Sequence, residues 1–297
     1  MAEITSDLVK KLREMTGAGM MDCKKALGET GGKLDEAVDY LRKKGIAKAG
    51  SKSGRVAAQG LVTVAVENGR GAVVEVNSET DFVARNEKFQ DFVKGVSQLA
   101  LKSGSVEELA KKPFPGGSGS VADKLTDLIA TIGENMSLRR MAAVSANPGV
   151  VAAYVHSALV PNMGKIGVLV ALESSGDQAK LAAVGKQLAM HIAFANPQAV
   201  TQDAVPAAAV EREKAVLAET AKASGKPDPV IAKMVEGGLR KYFEDIVLLE
   251  QTFAIDGKSK VKDVVETAAK EVGAPVKVAG FVRMALGEGV ETAGEAQ

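Results

Sequence analysis

The sequence predicts an α+β protein: a small helical module followed by two related α+β subdomains with antiparallel sheets. Over the first 45 residues, apolar side chains recur every three to four positions, which is typical of amphipathic helices. Between residues 61 and 76, two alternating runs flank Asn68-Gly69, a common two-residue turn of β-hairpins. The order strand, strand, helix then begins again near Val150, which suggests a repeated subdomain.

The start of the chain predicts a three-helix module like a ubiquitin-associated domain. Ile4, Leu8 and Leu12 share one helical face. We expect the third helix to end at Gly45, because glycine commonly follows the last turn of a helix. The next stretch is polar and contains glycine, so it predicts a flexible linker at 47–55.

Two further segments complete the predicted organisation. Residues 103–120 contain prolines and glycines, which predicts a loop. Two amphipathic stretches around Ser224-Gly225 predict an antiparallel helical hairpin, which either projects and allows self-association or packs against the body. The predicted domains are an N-terminal three-helix module (1–46), a linker (47–55), a core N-subdomain (56–145), a core C-subdomain (146–280, with the hairpin at 206–246) and a short C-terminal module (281–297).

Composition argues against several functional classes. The 38 basic and 37 acidic residues leave a net charge of +1, which gives no general attraction to nucleic acids or acidic membranes. The one cysteine, Cys23, cannot form an internal disulfide, fits a reducing compartment and is expected to be a buried, inert thiol. No stretch has the length of a membrane span or a signal peptide, so we expect a cytoplasmic protein.

The sequence contains no catalytic or cofactor-binding pattern. His191 lies beside an apolar helical stripe and is expected to be structural, whereas His156 ends a predicted strand, where partner contact and a structural role are both open. The phosphate-loop pattern Gly-x4-Gly-Lys-Ser/Thr is absent, so direct nucleotide binding is not expected. We therefore expect no cofactor and no active site.

Two segments have the residue types of contact surfaces. Thr80, Asp81, Phe82 and Val83 follow a predicted strand, and the Asp-Phe pair fits an exposed apolar probe with a charge beside it. The alternative is a helix start in which Thr80 or Asp81 is the cap and Phe82 folds into the core. Met20-Met21 offers a second adaptable surface, with packing inside the small module as its alternative.

Several motifs resemble those of the bacterial elongation factor Ts family. Residues 12–27 (LREMTGAGMMDCKKAL) resemble its N-terminal signature, and residues 75–85 (EVNSETDFVAR) resemble its second signature. The stretches IGEN (132–135) and GFVR (280–283) extend the resemblance over nearly the whole chain in the same order.

The resemblance implies a guanine-nucleotide exchange factor for elongation factor Tu, the GTPase that carries aminoacyl-tRNA to the ribosome. It implies that the segment from Thr80 to Val83 meets the GTPase domain, with Asp81 in contact and Phe82 inserted near the magnesium site. It further implies that Leu12, Met20 and Met21 grip the same domain. His156 would lie near a contact with a distal domain of the partner.

Three other functional classes are less well supported by the sequence. A non-catalytic adaptor built on the ubiquitin-associated-like module would leave the Asp81-Phe82 segment without a purpose. An enzyme using scattered carboxylates lacks any acid–base pair placed by spacing. An RNA-binding role does not fit the dispersed and balanced basic residues.

Overall fold

The computed structural model describes residues 4–16, 18–117 and 119–291. The chain forms two compact units. Among the described residues, the first combines those up to 63 with those in 74–141 and with 285–291, and the second combines 64–73 with 142–284. Helices and antiparallel sheets together confirm the α+β class. The predicted five-part domain division stays a prediction, and its last segment lies partly outside the described residues.

The first unit opens with the predicted helices: α1 (Ser6–Thr16), α2 (Met20–Glu29) and α3 (Leu34–Gly50). Leu12, Cys23 and Leu27 have no exposed surface and form the centre of this small core. Ile4 and Leu8 pack against it, as the helical spacing of the sequence predicts.

Helix α3 is longer than predicted. It runs through Gly45 to Gly50, so the prediction of a helix end at Gly45 and of a linker over residues 47–50 is wrong. Glycine stops a helix where it adopts a left-handed conformation, and Gly45 does not have a positive φ. Gly45 is instead buried, and a Cβ added at this position would contact the Cβ of Ala130.

A β-hairpin follows, as predicted, with strands β1 (Gln59–Glu67) and β2 (Arg70–Ser78). Asn68 and Gly69 both have positive φ (49° and 71°), which is the conformation of the two-residue hairpin turn. The chain continues through α4 (Asp81–Ala84), α5 (Glu87–Ala100), α6 (Val106–Lys111), α7 (Val121–Ile132) and β3 (Met136–Ser145).

Helix α6 corrects the prediction of a continuous loop over residues 103–120. Ser105 caps it by accepting a hydrogen bond from the N–H of Glu108, and Leu109 is its buried contact. Fewer than two full turns leave too few positions for a periodic apolar pattern, which is why the sequence alone does not indicate it.

The second unit contains the repeated strand, strand, helix order that the sequence predicts. Its elements are β4 (Gly149–His156), β5 (Met163–Gly164), β6 (Ile166–Glu173), α8 (Gln178–Ala195), α9 (Ala207–Ala223), α10 (Asp228–Ile246), α11 (Val261–Val272) and β7 (Lys277–Ala285). Strands β4 and β6 pair antiparallel, with Val150 opposite Leu172. The described strands form two sheets, in the orders β3-β2-β1-β5 and β4-β6-β7.

Helices α9 and α10 form the predicted helical hairpin. They approach closely at Gly238, where an added Cβ would lie 2.7 Å from a methyl carbon of Leu217. Val216, Val230 and Met234 remain exposed on the two helices. Self-association through this hairpin stays a prediction.

A buried carboxylate in the first unit binds the segment that follows β7. Glu75, on β2, has no exposed surface, and both of its oxygens lie 3.1 Å from Arg139 Nη1. It also accepts hydrogen bonds from Arg140 Nε at 2.5 Å, from the Asn77 amide at 2.9 Å and from the N–H of Gly287 at 2.8 Å. Gly287 has a φ of +75°, and an added Cβ would lie 2.6 Å from a backbone oxygen, so this close approach requires glycine.

The pKa of Glu75 makes the stability of this unit pH-dependent. Burial alone would raise the pKa, but the hydrogen bonds from Gly287, Asn77 and Arg140 outweigh it, so the pKa lies below its ordinary value of 4.5. The folded state thus binds this proton less readily than the unfolded chain. The resulting stabilisation is complete above the unfolded pKa and is lost as the pH falls through the folded pKa.

We expect Glu75→Gln to lower the free energy of unfolding by about 3 kcal/mol at neutral pH, since it leaves two arginines without their shared buried anion. The difference from the wild type should shrink below pH 4.5, where the wild-type carboxyl begins to lose its advantage. Urea unfolding at several pH values measures both effects. Glu36→Gln, at an exposed carboxylate, is the control. Parallel stability curves for wild type and Glu75→Gln across the acid range would contradict the expectation.

Candidate functional site

The segment after β2 forms a single helical turn that presents Phe82 to solvent. Thr80 occupies the N-cap position of α4, but its side chain makes no capping hydrogen bond. Val83 and Ala84 point inward and are buried, whereas Asp81 is exposed and the Phe82 residue is 77% exposed. The alternative prediction of a helix start is therefore confirmed for the backbone. Its placement of the Phe82 ring in the core is wrong.

The start of this turn is held by two carboxylates that cross between chain segments. The Glu134 carboxylate accepts hydrogen bonds from the Thr80 N–H (2.9 Å) and from its hydroxyl (2.6 Å). In return, the Glu79 carboxylate accepts a hydrogen bond from the N–H of Asn135 at 2.5 Å. We call these four residues, Glu79, Thr80, Glu134 and Asn135, the carboxylate clasp. Hydrogen bonds to ionised groups are among the strong ones, so the clasp fixes the point from which α4 begins.

The end of the turn is fixed as well. The side-chain amide of Gln90 donates to the carbonyl oxygen of Ala84 at 2.9 Å. The Asn86 side chain caps α5 by accepting a hydrogen bond from the N–H of Lys88 at 3.0 Å. With both ends of α4 held, the Phe82 ring stands on a rigid support, and its apolar surface is available to another molecule.

A second exposed apolar surface lies at the start of α2. Met20 is 60% and Met21 76% exposed, so the alternative in which both pack inside the module is wrong. Asp22 fastens this end of α2 to α3 through Lys44 (2.6 Å) and Lys48 (3.2 Å). The hydrogen bond from Lys44, followed by that from Lys48, lowers the pKa of the Asp22 carboxyl, so the two ion pairs persist to a lower pH than an ordinary aspartate would allow.

Two of the predicted contact residues are buried. Leu12 has no exposed surface and lies in the core of the N-terminal module. Val83 lies on the inward side of α4 and is almost completely buried. In the free chain both support exposed neighbours, and their contact with a partner stays a prediction. A sequence signature does not distinguish its exposed residues from the buried residues that support them.

The histidines and the cysteine occupy different environments. His156 is exposed at the end of β4, with its Nδ1 3.3 Å from the Tyr154 hydroxyl, and its contact with a partner stays a prediction. His191 is buried, with Nε2 2.9 Å from Gln251 Oε1 and Nδ1 accepting the N–H of Ala254, so it is the structural histidine that the sequence predicts. Cys23 is buried as expected, and burial raises the pKa of its thiol.

The sequence interpretation assigned no role to Glu134 or to Phe194. Glu134 follows Gly133, which ends α7 in a left-handed conformation, and no local pattern reveals that its carboxylate reaches Thr80. Phe194, on α8 in the second unit, is 83% exposed. An exposed aromatic within an apolar helical stretch has no distinguishing signal in a single sequence.

The described residues include no group of three or more His, Cys, Asp or Glu side chains placed to hold a metal ion. None of the helices in the described part of the chain is long and apolar enough to cross a membrane.

The family model and the relatives that match this chain agree on one family. A family model described as "Elongation factor TS" matches residues 79–288. Proteins named "Elongation factor Ts" from Rhodospirillum centenum and Paramagnetospirillum magneticum are 62% and 59% identical to this chain, over 99% and 98% of it and 96% and 94% of their own lengths. A third, from Rhodospirillum rubrum, is 57% identical over 98% of this chain and 95% of its own length.

These matches define the class as a bacterial translation elongation factor. Within that class, the chain belongs to the elongation factor Ts family. The resemblance seen in the motifs at residues 12–27 and 75–85 is thereby confirmed.

The exposure of Phe82 has a direct consequence for stability. We expect Phe82→Ala to change the free energy of unfolding by less than about 0.5 kcal/mol, as for most surface substitutions. Phe89→Ala, in the same unit but at a fully buried ring on α5, should cost about 3–5 kcal/mol. Urea unfolding of the two variants measures the difference. A similar loss of stability in both would contradict an exposed Phe82 ring.

Proposed function

We propose that this chain is a guanine-nucleotide exchange factor that promotes GDP release from elongation factor Tu, and that Phe82 is the side chain that loosens the nucleotide. Membership of the elongation factor Ts family implies a nucleotide exchange factor for elongation factor Tu in translation. The observation that carries the role of Phe82 is a large apolar ring held outside its own core on a turn fixed at both ends. Action on a translation GTPase also fits a cytoplasmic location.

Exchange requires no nucleotide site on this chain. A GTPase holds GDP through its phosphate loop and through a Mg²⁺ ion that bridges to phosphate. A protein that binds the empty GTPase more tightly than the loaded one must, by linkage, weaken GDP binding by the same factor. The absence of direct nucleotide, nucleic-acid and membrane binding stays a prediction.

The Phe82 ring can supply a substantial part of this coupling. Burying one Phe side chain contributes about 1.5–3 kcal/mol, and about 1.4 kcal/mol corresponds to a tenfold change in affinity. If the ring is buried only against the empty GTPase, it weakens GDP binding by roughly ten- to a hundredfold. The exposed Asp81 carboxylate beside it would meet the same domain of the partner.

The methionine surface would supply affinity. Met20 and Met21 are exposed at the start of α2, and methionine adapts its flexible side chain to irregular partner surfaces. Because these residues bind the partner without entering its nucleotide site, their contribution is the same with or without GDP. His156 would add a contact to a distal domain of the partner.

We expect Phe82→Ala to slow stimulated GDP release at least about tenfold, because the ring's burial energy is lost from the nucleotide-free complex. The measurement is release of fluorescent GDP from purified elongation factor Tu, with the wild type and the variant at equal concentration. Phe194→Ala, at another exposed phenylalanine, is the matched control and should retain wild-type stimulation. Unchanged release with Phe82→Ala would rule out the proposed role of the ring, and an equal loss with Phe194→Ala would show that the effect is not specific.

Replacing Met20 and Met21 together with serine should weaken complex formation by about tenfold, since two apolar contacts are lost. The release rate at saturating exchange factor should change little. Titration calorimetry with nucleotide-free elongation factor Tu gives the dissociation constant, and Met234→Ser, at an exposed methionine of α10, is the control. A dissociation constant equal to that of the wild type would contradict the role of this surface.

A further inference from the structure

The carboxylate clasp belongs to a larger hydrogen-bonded junction in the first unit. The turn at residues 133–135 bonds to two other segments, one at 79–80 and one at 52–55. Besides the clasp itself, the Lys52 ammonium donates to the carbonyl oxygen of Gly133 at 2.6 Å, and the Asn135 amide donates to the carbonyl oxygen of Arg55 at 2.6 Å. Arg55 in turn forms an ion pair with Glu79 at 3.4 Å.

We propose that Glu134 is a positioning residue for nucleotide exchange: by holding Thr80, its carboxylate fixes the orientation in which α4 presents Phe82. The inference rests on the proposed function and deepens it. Glu134 has no contact role of its own in this proposal and acts only through the turn that it holds.

The argument begins with the length of α4. This helix spans only four residues, Asp81–Ala84, and so short a helix is not stable by itself, because nucleation fixes several dihedral angles for a single hydrogen bond. Its N-cap residue does not stabilise it in the usual way, since the Thr80 hydroxyl donates to Glu134 and makes no capping bond. The direction of α4 is therefore set by contacts outside the helix.

Glu134 provides the most direct of these contacts. Its two oxygens separately accept the backbone N–H and the hydroxyl of Thr80, so the residue is held in both position and rotation. Thr80 is two residues from Phe82, which leaves little freedom between the fixed point and the ring. Fixing an exposed element in its bound conformation before association removes an entropic cost from binding.

The same turn also fastens the segment that leaves α3. Lys52 and Arg55, which the sequence places in a flexible linker, both bond to residues 133–135. Those bonds use the Gly133 carbonyl and the Asn135 amide, whereas the bonds to Thr80 use the Glu134 side chain. Removing the Glu134 carboxylate should therefore free α4 and leave the methionine surface in place.

The test is a double-mutant cycle with elongation factor Tu. Maximal GDP release is measured at saturating exchange factor, and the dissociation constants of the nucleotide-free and the GDP-bound complexes are measured by calorimetry. Glu134→Ala should reduce the maximal rate about fivefold and weaken the nucleotide-free complex by a similar factor, which corresponds to ~1 kcal/mol. The dissociation constant of the GDP-bound complex should change less than about twofold, because the ring is buried only against the empty GTPase. In a Phe82→Ala background, Glu134→Ala should have no further effect, because the residue acts through the ring.

Conservative variants separate positioning from folding. Thr80→Ser keeps the hydroxyl donor, whereas Thr80→Val keeps only the backbone N–H, so the maximal rate should be higher with Thr80→Ser than with Thr80→Val. Glu134→Gln retains one acceptor oxygen and should lie between wild type and Glu134→Ala. Glu108→Ala removes another carboxylate that holds a loop of this unit, where it accepts the N–H of Gly104, and should leave exchange unchanged.

Each result decides the question. A wild-type rate with Glu134→Ala, an equal further loss in the Phe82→Ala background, or an equal weakening of the nucleotide-free and the GDP-bound complexes would overturn the proposal. If Glu134→Ala fails to fold by circular dichroism, the Thr80→Ser and Thr80→Val pair decides, and equal rates for the two would overturn it. Failure of the wild type itself to stimulate GDP release would instead overturn the proposed function, which makes the two failures distinguishable.

Discussion

The crossed carboxylate hydrogen bonds between residues 79–80 and 134–135 are the constraint on which the exposed face of the first unit depends. An apolar ring in water gains nothing from its own fold, and an unsupported turn would let it collapse onto the nearest apolar surface. The clasp counters that collapse with bonds to ionised oxygens, which are shorter and stronger than bonds between neutral groups. Val83 and Ala84 also hold the turn in place, because their side chains pack into the core.

The first unit thus reverses the usual placement of side chains over a short length of chain. Glu75 on β2 is buried with two arginines, while Phe82, seven residues later, is exposed. Both placements cost stability in isolation, since a buried charge needs a partner and an exposed apolar ring forgoes the free energy of burial. Side chains on β3 stabilise the buried Glu75, and side chains of the turn before β3 stabilise the exposed position of Phe82. The same short segment of chain therefore supports both residues.

Local chemistry made part of this structure predictable from the sequence. The Asn68-Gly69 turn follows from conformational preferences that two adjacent residues reveal. The Asp81-Phe82 pair indicated an exposed ring but left open a ring folded into the core. Contacts between distant segments were not accessible in this way. The bond between Glu134 and Thr80 spans 54 residues, and the continuation of α3 past Gly45 reflects its burial against Ala130 on another helix. The burial of Val83 was not predicted, because its signature marks a region and not the direction of each side chain.

The bond between Glu75 and Gly287 has a consequence for biosynthesis, because it joins residues 212 positions apart. During translation, β2 leaves the ribosome long before its last hydrogen-bond donor has been made. Until then the carboxylate retains only its partners on β2 and β3, and the early part of the chain cannot reach its final stability. Such a long sequence separation also slows the search for native contacts. The first unit is therefore complete only after residue 287 has been synthesised.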